Sequence, residues 1–255
     1  CNDTKKDDVR AKLGISNPIT FRYSVEAYWV KDADAVFQEE YEDKKTGEKK
    51  VREKKDNTNC HMVIVARTYN AMRKLNYILS CAHDTGFYYK PRIDLKSLFT
   101  LNKDEVYITS ACIAGWKYED ATEIWLKIWQ HFGDSFFLEY QTHNTPEQKA
   151  LNKKIYEISK TFGIQTIIGL DTHYINEEDR IKRENLLLRK GLHYEDEDGW
   201  YMDFPNGVET YRRMVEQDCL PKEEILYAMM NTHVFIDGCE NLSYDTDFKI
   251  PIHPD

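Results

Sequence analysis

The sequence predicts an α/β domain of barrel-like architecture, on three observations. Apolar strand-like runs alternate with helix-periodic stretches along the chain, the signature of repeated β-α units. The 255 residues are 41% hydrophobic and 31% charged, which supplies a sizeable core for one large domain or two smaller ones. Metal- and acid/base-competent residues fall where strands end, and in α/β barrels the loops at the C-terminal strand ends form the working face.

The first strand is FRYSVEAYWV (21–30), which alternates and is rich in aromatic and β-branched residues; Glu26 interrupts it. The segment 39–59 is almost purely charged, with a turn signal at Thr46-Gly47. It reads as a solvated hairpin or loop inserted between two strands. HMVIVA (61–66) is the next strand, and Tyr69, Met72, Leu75, Ile78, Leu79 and Ala82 then fall at helical spacing. EVYITS (105–110) is a strand with Cys112 just past its end. A helix follows through Ile124, Trp125, Ile128 and Phe132, and then the strand FFLEY (136–140). The clearest helix runs from Pro146 to Phe162. Thr145 is its N-cap, Pro146 takes the first helical position, Gln148 completes a capping box, Gly163 closes the end, and Leu151, Ile155, Ile158 and Phe162 form the buried stripe. The strand IQTIIGL (164–170) and helices over 177–190 and 222–236 complete the series, without an internal repeat.

The last strand ends in LDTHY. In an extended chain i and i+2 share a face, so Asp171 and His173 project together; spacing alone leaves a site role and a structural role equal. Cys112 reads as a small core residue or a ligand, Glu26 as a surface strand residue or a site residue, and His83 as a helix C-terminal residue or a ligand. Glu139 and His143 also lie near a strand end and read as supporting or structural residues. His61, at a strand start, and His131, His193, His233 and His253 read as structural or surface residues.

Composition narrows the function classes. The net charge of -9 argues against a large basic surface holding nucleic acid unaided, although metal ions or a neighbouring domain can supply positive charge. No apolar run approaches the roughly 20 residues needed to span a bilayer, and no signal-peptide pattern opens the chain, so no membrane partner is expected. Six cysteines without a CxxC pair argue against a structural zinc finger and fit a reducing, cytoplasmic setting. The first residue is Cys1, and the chain is expected to be a fragment or processed product.

Several long motifs then occur in a recognisable order: CHMVIVARTYNAMRKLNYILSCAHDTGFYYKPRID (60–94), VYITSACIAG (106–115), FFLEYQTHNTPEQKALNKKIYEISKTFGIQTIIGLDTHYINEEDR (136–180) and the closing FKIPIHPD. The chain resembles, from about residue 20 onward, the PHP (polymerase and histidinol phosphatase) domain of bacterial or phage DNA polymerase III alpha subunits. The resemblance implies a distorted (β/α)7 barrel whose strand ends hold up to three metal ions. It assigns metal ligands to Glu26, His83, Cys112, Asp171 and His173. Lys90 and Arg92, in YYKPR, are candidate phosphate contacts, with ordinary surface charge as the alternative.

The family's initial His-x-His and Thr-Asp-His motifs are absent from the sequence, so the resemblance implies a barrel incomplete at its N-terminus. Residues 1–255 would then be a single PHP domain fragment, with 39–59 as an insertion and 243–255 leading toward a polymerase region. Mixed nitrogen, oxygen and thiolate ligands suit zinc, manganese or iron, and such ions support phosphoester hydrolysis, including 3′ to 5′ exonuclease action. The partners implied are DNA, the remaining polymerase domains and a proofreading exonuclease. A docking domain with a vestigial site and a free-standing phosphatase are the alternatives.

Overall fold

The computed structural model describes residues 22–192 and 200–242. Expectations that fall on 1–21, 193–199 and 243–255, among them those for His193, His253 and the closing FKIPIHPD, lie outside the described residues.

Seven strands form one sheet in the order β5-β6-β1-β4-β7-β8-β9. They are β1 (Ser24–Val30), β4 (Cys60–Ala66), β5 (Phe87–Tyr88), β6 (Lys90–Asp94), β7 (Val106–Thr109), β8 (Phe136–Gln141) and β9 (Thr166–Gly169). β6 runs parallel to β1, and β7, β8 and β9 run parallel to one another. β4 lies between these groups, antiparallel to both β1 and β7. The protein is thus mixed α/β, and its described strands form a sheet with β5 and β9 at the edges rather than a closed barrel.

The charged segment folds as a separate two-stranded hairpin, β2 (Val36–Glu42) with β3 (Lys49–Lys55), in which Glu39 pairs with Arg52 and Lys54. Sequence periodicity did not indicate the short β5–β6 hairpin, because Pro91 and the run of polar and aromatic residues obscure the strand pattern.

Strand register sorts the side chains onto two faces. Ala27, Trp29, Met62, Ile64, Ile108, Phe136, Leu138 and Tyr140 point to one side, where α1 (Tyr69–Asp84), α3 (Ala121–Phe132) and α4 (Pro146–Phe162) cover them in the main core. A short helix, α2 (Leu95–Leu98), follows β6. In α4 the Thr145 side chain accepts from the Gln148 N–H, and the helix ends at Gly163 in the left-handed conformation, φ 73°. The reciprocal half of the capping box is replaced: the Gln148 side chain donates to Asn152 instead, 2.9 Å. Phe162 is also more exposed than its place in the stripe suggests, since it packs beside Trp129 at the rim.

The opposite face carries Glu26, Tyr28, His61, Val63, Val65, Tyr107, Thr109, Phe137, Glu139, Gln141 and Ile167, because paired residues share a side and each strand alternates. Its apolar part is small: Val65, Tyr107, Phe137 and Ile167, capped by Val234 and Phe235 of the last helix. The helices after β9 are α5 (Arg180–Arg189), α6 (Gly207–Glu216) and α7 (Lys222–Asp237). Periodicity did not single out α6, although Asn206 caps it and Glu209 supplies the first-turn acid.

Candidate metal centre

The polar half of this second face gathers toward one end of the central strands. Glu26 and Tyr28 are two apart on β1, and Tyr28 lies directly across from His61 on β4, so Glu26 and His61 are diagonal neighbours on one face. Cys112 enters from the turn after β7. The Glu26 Oε1–His61 Nδ1 distance is 2.7 Å and the Cys112 Sγ–His61 Nδ1 distance is 3.2 Å. One ligand atom from each of the three lies within 4.8 Å of the others, a carboxylate oxygen, an imidazole nitrogen and a thiol sulfur.

His61 joins the group because β4 is reversed. A strand start would face away from the site in a fully parallel sheet. In β4, antiparallel to β1, the start lies beside the C-terminal half of β1. The resemblance instead assigned the histidine ligand to His83, which the structure does not bring to this group. His83 is exposed on the last turn of α1, in a shallow groove with Asn76, Leu79, Ser80 and Asp84. α1 packs on the Ala27 and Met62 side of the sheet, opposite Glu26.

Asp171 and His173 do come together, for a reason other than strand alternation. β9 ends at Gly169, and Asp171 has left-handed backbone, φ 45°. The turn brings Asp171 Oδ1 to 3.3 Å from His173 Nε2, while the His173 and Tyr174 N–H groups donate to the Met202 carbonyl. Burial raises the Asp171 pKa, but the His173 hydrogen bond and the charges of His173, His143 and His61 outweigh it and hold the carboxyl below its ordinary value. Asp171 lines the same open pocket, about 420 Å³, as Glu26, Thr109, Cys112 and Glu139.

Glu139 is buried, and its carboxylate accepts from Thr109 Oγ1 at 2.5 Å and Gln141 Nε2 at 3.1 Å. Burial raises its pKa against those two hydrogen bonds. The sheet makes room for it at Gly169, where a Cβ would meet Glu139 Oε1 at 1.8 Å. Burial first, then the Asp171, Glu26 and Glu139 carboxylates, pushes the Cys112 thiol up to about 12. Its proton is therefore held until a cation offsets the negative charge around it, so the donors fit a divalent ion chemically as well as by spacing.

The two basic candidates separate. Arg92 is 1% exposed, and its guanidinium donates to the carbonyls of Gly86, Asp56 and Ala33; these bonds tie β6 to its neighbours and leave no reach to a phosphate. Lys90 is exposed, with its ammonium 5.2 Å from the Tyr28 ring centroid, and Tyr28 meets the His61 ring edge-on at 5.2 Å. It stands one aromatic ring from the three-residue group.

Five cysteines are free among the described residues, and no helix there is long and apolar enough to cross a membrane. Residues 5–143, more than half of the chain, match the family model described as PHP domain. The chain is similar to the DNA polymerase III subunit alpha of Aquifex aeolicus, 33% identical over 149 residues, which are 54% of this chain and 13% of that protein. It is similar to the subunit of the same name from Borreliella burgdorferi, 29% identical over 210 residues, 76% of this chain and 17% of the relative. A third such relative, from Deinococcus radiodurans, is 30% identical over 135 residues, 50% of this chain and 10% of its own. The chain thus spans a small fraction of the length of these relatives. Glu26, His61 and Cys112 all fall inside the matched segment, whereas Asp171 and His173 lie beyond it, and by that match the chain belongs to the PHP domain family.

Proposed function

We propose that this chain is the PHP domain of a replicative DNA polymerase III alpha subunit and that it hydrolyses phosphodiester ends with divalent metal. The observation that carries the proposal is the convergence of Glu26, His61 and Cys112 on one strand-end face. The setting is DNA replication in the cytoplasm, with DNA, the remaining polymerase domains and a proofreading exonuclease as partners. In that context the sheet forms part of a distorted (β/α)7 barrel.

A nitrogen, oxygen and sulfur donor set favours zinc, manganese or iron over magnesium. A bound ion supplies Lewis acidity to water and to a phosphoryl oxygen. The protein's part is positioning. Thr109 and Gln141 fix Glu139 at the floor, Asp171 and His173 close one side, and Lys90 at the rim attracts the phosphate backbone. The test is 3′ to 5′ degradation of a labelled primer by the full-length protein with zinc or manganese. Cys112→Ser, His61→Ala and Asp171→Asn should each lower the rate at least about a hundredfold. Equal rates in all three variants would refute the site. A protein that binds metal yet leaves the primer intact would assign the domain a docking role, which the chain's net charge of -9 favours.

A further inference from the structure

We propose that the β5–β6 turn is a base-stacking platform, on which Tyr89 and Tyr88 hold the unpaired bases of a single-stranded DNA 3′ end while Lys90 takes its phosphate. The inference rests on the reading of this domain as one that acts on DNA ends, and adds to it how the strand is held. Neither the motif spacing nor the family match gives Tyr88 or Tyr89 a role.

Tyr89 has left-handed backbone, φ 59°, between the paired Tyr88 and Lys90. Glycine or asparagine adopts that conformation at lower cost than an aromatic residue does. The ring recovers little packing in return. It is 71% exposed and meets the Tyr88 ring edge-on, centroids 4.6 Å apart. A disfavoured turn that presents a large aromatic ring to solvent fits a contact made with a ligand.

Register places the turn in line with the metal-competent group. Tyr28 lies across from Arg92, and Lys90 is two residues before Arg92 and across from Tyr88. Tyr28, Tyr88 and Lys90 therefore share the face that carries Glu26 and His61. The Tyr28 ring meets the His61 ring at 5.2 Å, and Lys90 Nζ stands 5.2 Å from the Tyr28 centroid. Lys90 has no carboxylate partner among the described residues, so its charge is open to a phosphate. From His61 through Tyr28 and Lys90 to Tyr88 and Tyr89 the contacts run outward from the ligand atoms, the path of a strand entering by its 3′ end. Stacking on a ring beside a cation accepts any base. Bases within a duplex are already stacked on their neighbours, which favours an unpaired end.

The test uses the full-length protein, manganese and a single-stranded thymidine oligomer. Its terminal linkages are phosphorothioates, to slow hydrolysis, and 5-iodouracil replaces each base near the 3′ end in turn. Ultraviolet light should crosslink one of these bases to Tyr88 or Tyr89, located by peptide mass spectrometry. Tyr89→Asn suits the left-handed backbone and should fold. It should lower the crosslinking yield and raise KM for the unmodified oligomer at least about fivefold each, whereas Tyr89→Phe should change neither. On a strand whose terminal nucleotides lack bases, Tyr89→Asn should leave KM unchanged, because only phosphate contacts remain. Crosslinks that map only to other residues, or yield and KM unchanged in Tyr89→Asn, overturn the inference and leave the turn to a protein neighbour. A Tyr88 or Tyr89 crosslink in a protein that never hydrolyses the strand refutes the hydrolytic reading and keeps the platform, the crosslinking yields alone then deciding. Hydrolysis at the same KM in Tyr89→Asn does the opposite.

Discussion

Gly169 and His143 are single residues whose surroundings leave little room for change. A methyl group at Gly169 would occupy the volume of the Glu139 carboxylate, 1.8 Å from its Oε1, and would force it off Thr109 and Gln141. Gly169→Ala should therefore lower stability by about 1–3 kcal/mol, seen as a shift in the urea midpoint at constant m-value. His143 makes a different prediction. Burial lowers its pKa from 6.5 to about 4, with Asp171 opposing. The folded state then binds fewer protons than the unfolded state between those values. The associated stability is complete above about pH 6.5 and is lost as pH falls toward 4, up to about 3 kcal/mol. Denaturation measured with chelator across that range should show the decline, and His143→Gln should flatten it; an unchanged slope would contradict burial of a neutral imidazole as its cause. Neither residue is conspicuous in the sequence. Gly169 sits in an apolar run, and His143 is one of eight histidines.

At the scale of elements, two ion-pair systems should behave oppositely. The β2–β3 hairpin pairs Glu39 with Arg52 and Lys54 in solvent, where screening and side-chain entropy cancel most of the attraction. Arg52→Ala should leave the thermal midpoint unchanged within error. Arg213 on α6 instead grips Asp203 with two parallel bonds, 2.6 and 2.8 Å, both partners largely shielded, with its guanidinium over the Tyr201 ring. Its removal leaves a carboxylate in a poorly solvated place, so Arg213→Ala should cost about 3 kcal/mol. It should also loosen the 200–204 strap that backs His173, which would appear as faster amide exchange at His173 and Tyr174. Most elements are legible from pattern: the strands around 61–66 and 136–140 and the helix 146–162 carry strong periodicity and caps. α6 and the β5–β6 hairpin are not, because a ten-residue helix after Pro205 and a strand containing Pro91 give weak local signals.

For the whole molecule, electrostatics is the dominant consideration. A chain of net charge -9 brings Glu26, Glu139, Asp171 and the Cys112 thiol to one pocket, an arrangement that self-repulsion opposes until a cation enters. Divalent ions should therefore stabilise the fold, by about 2.7 kcal/mol of linkage at a hundredfold excess over Kd, and so raise the unfolding temperature. Glu26→Gln should reduce that rise, and scanning calorimetry with and without zinc measures it. The sequence alone determined the α/β class, the family, the presence of Cys112, Asp171 and His173 just past strand ends, and that of Glu26 within the first strand, since these depend on local periodicity and ordered motifs. Strand direction and face were decided only by tertiary structure. Reversal of β4 brings His61 to Glu26, and α1 carries His83 to the far side of the sheet. The backbone carbonyls around Arg92 occupy its guanidinium. Each of these outcomes rests on pairing between residues distant in the chain, which no local pattern encodes.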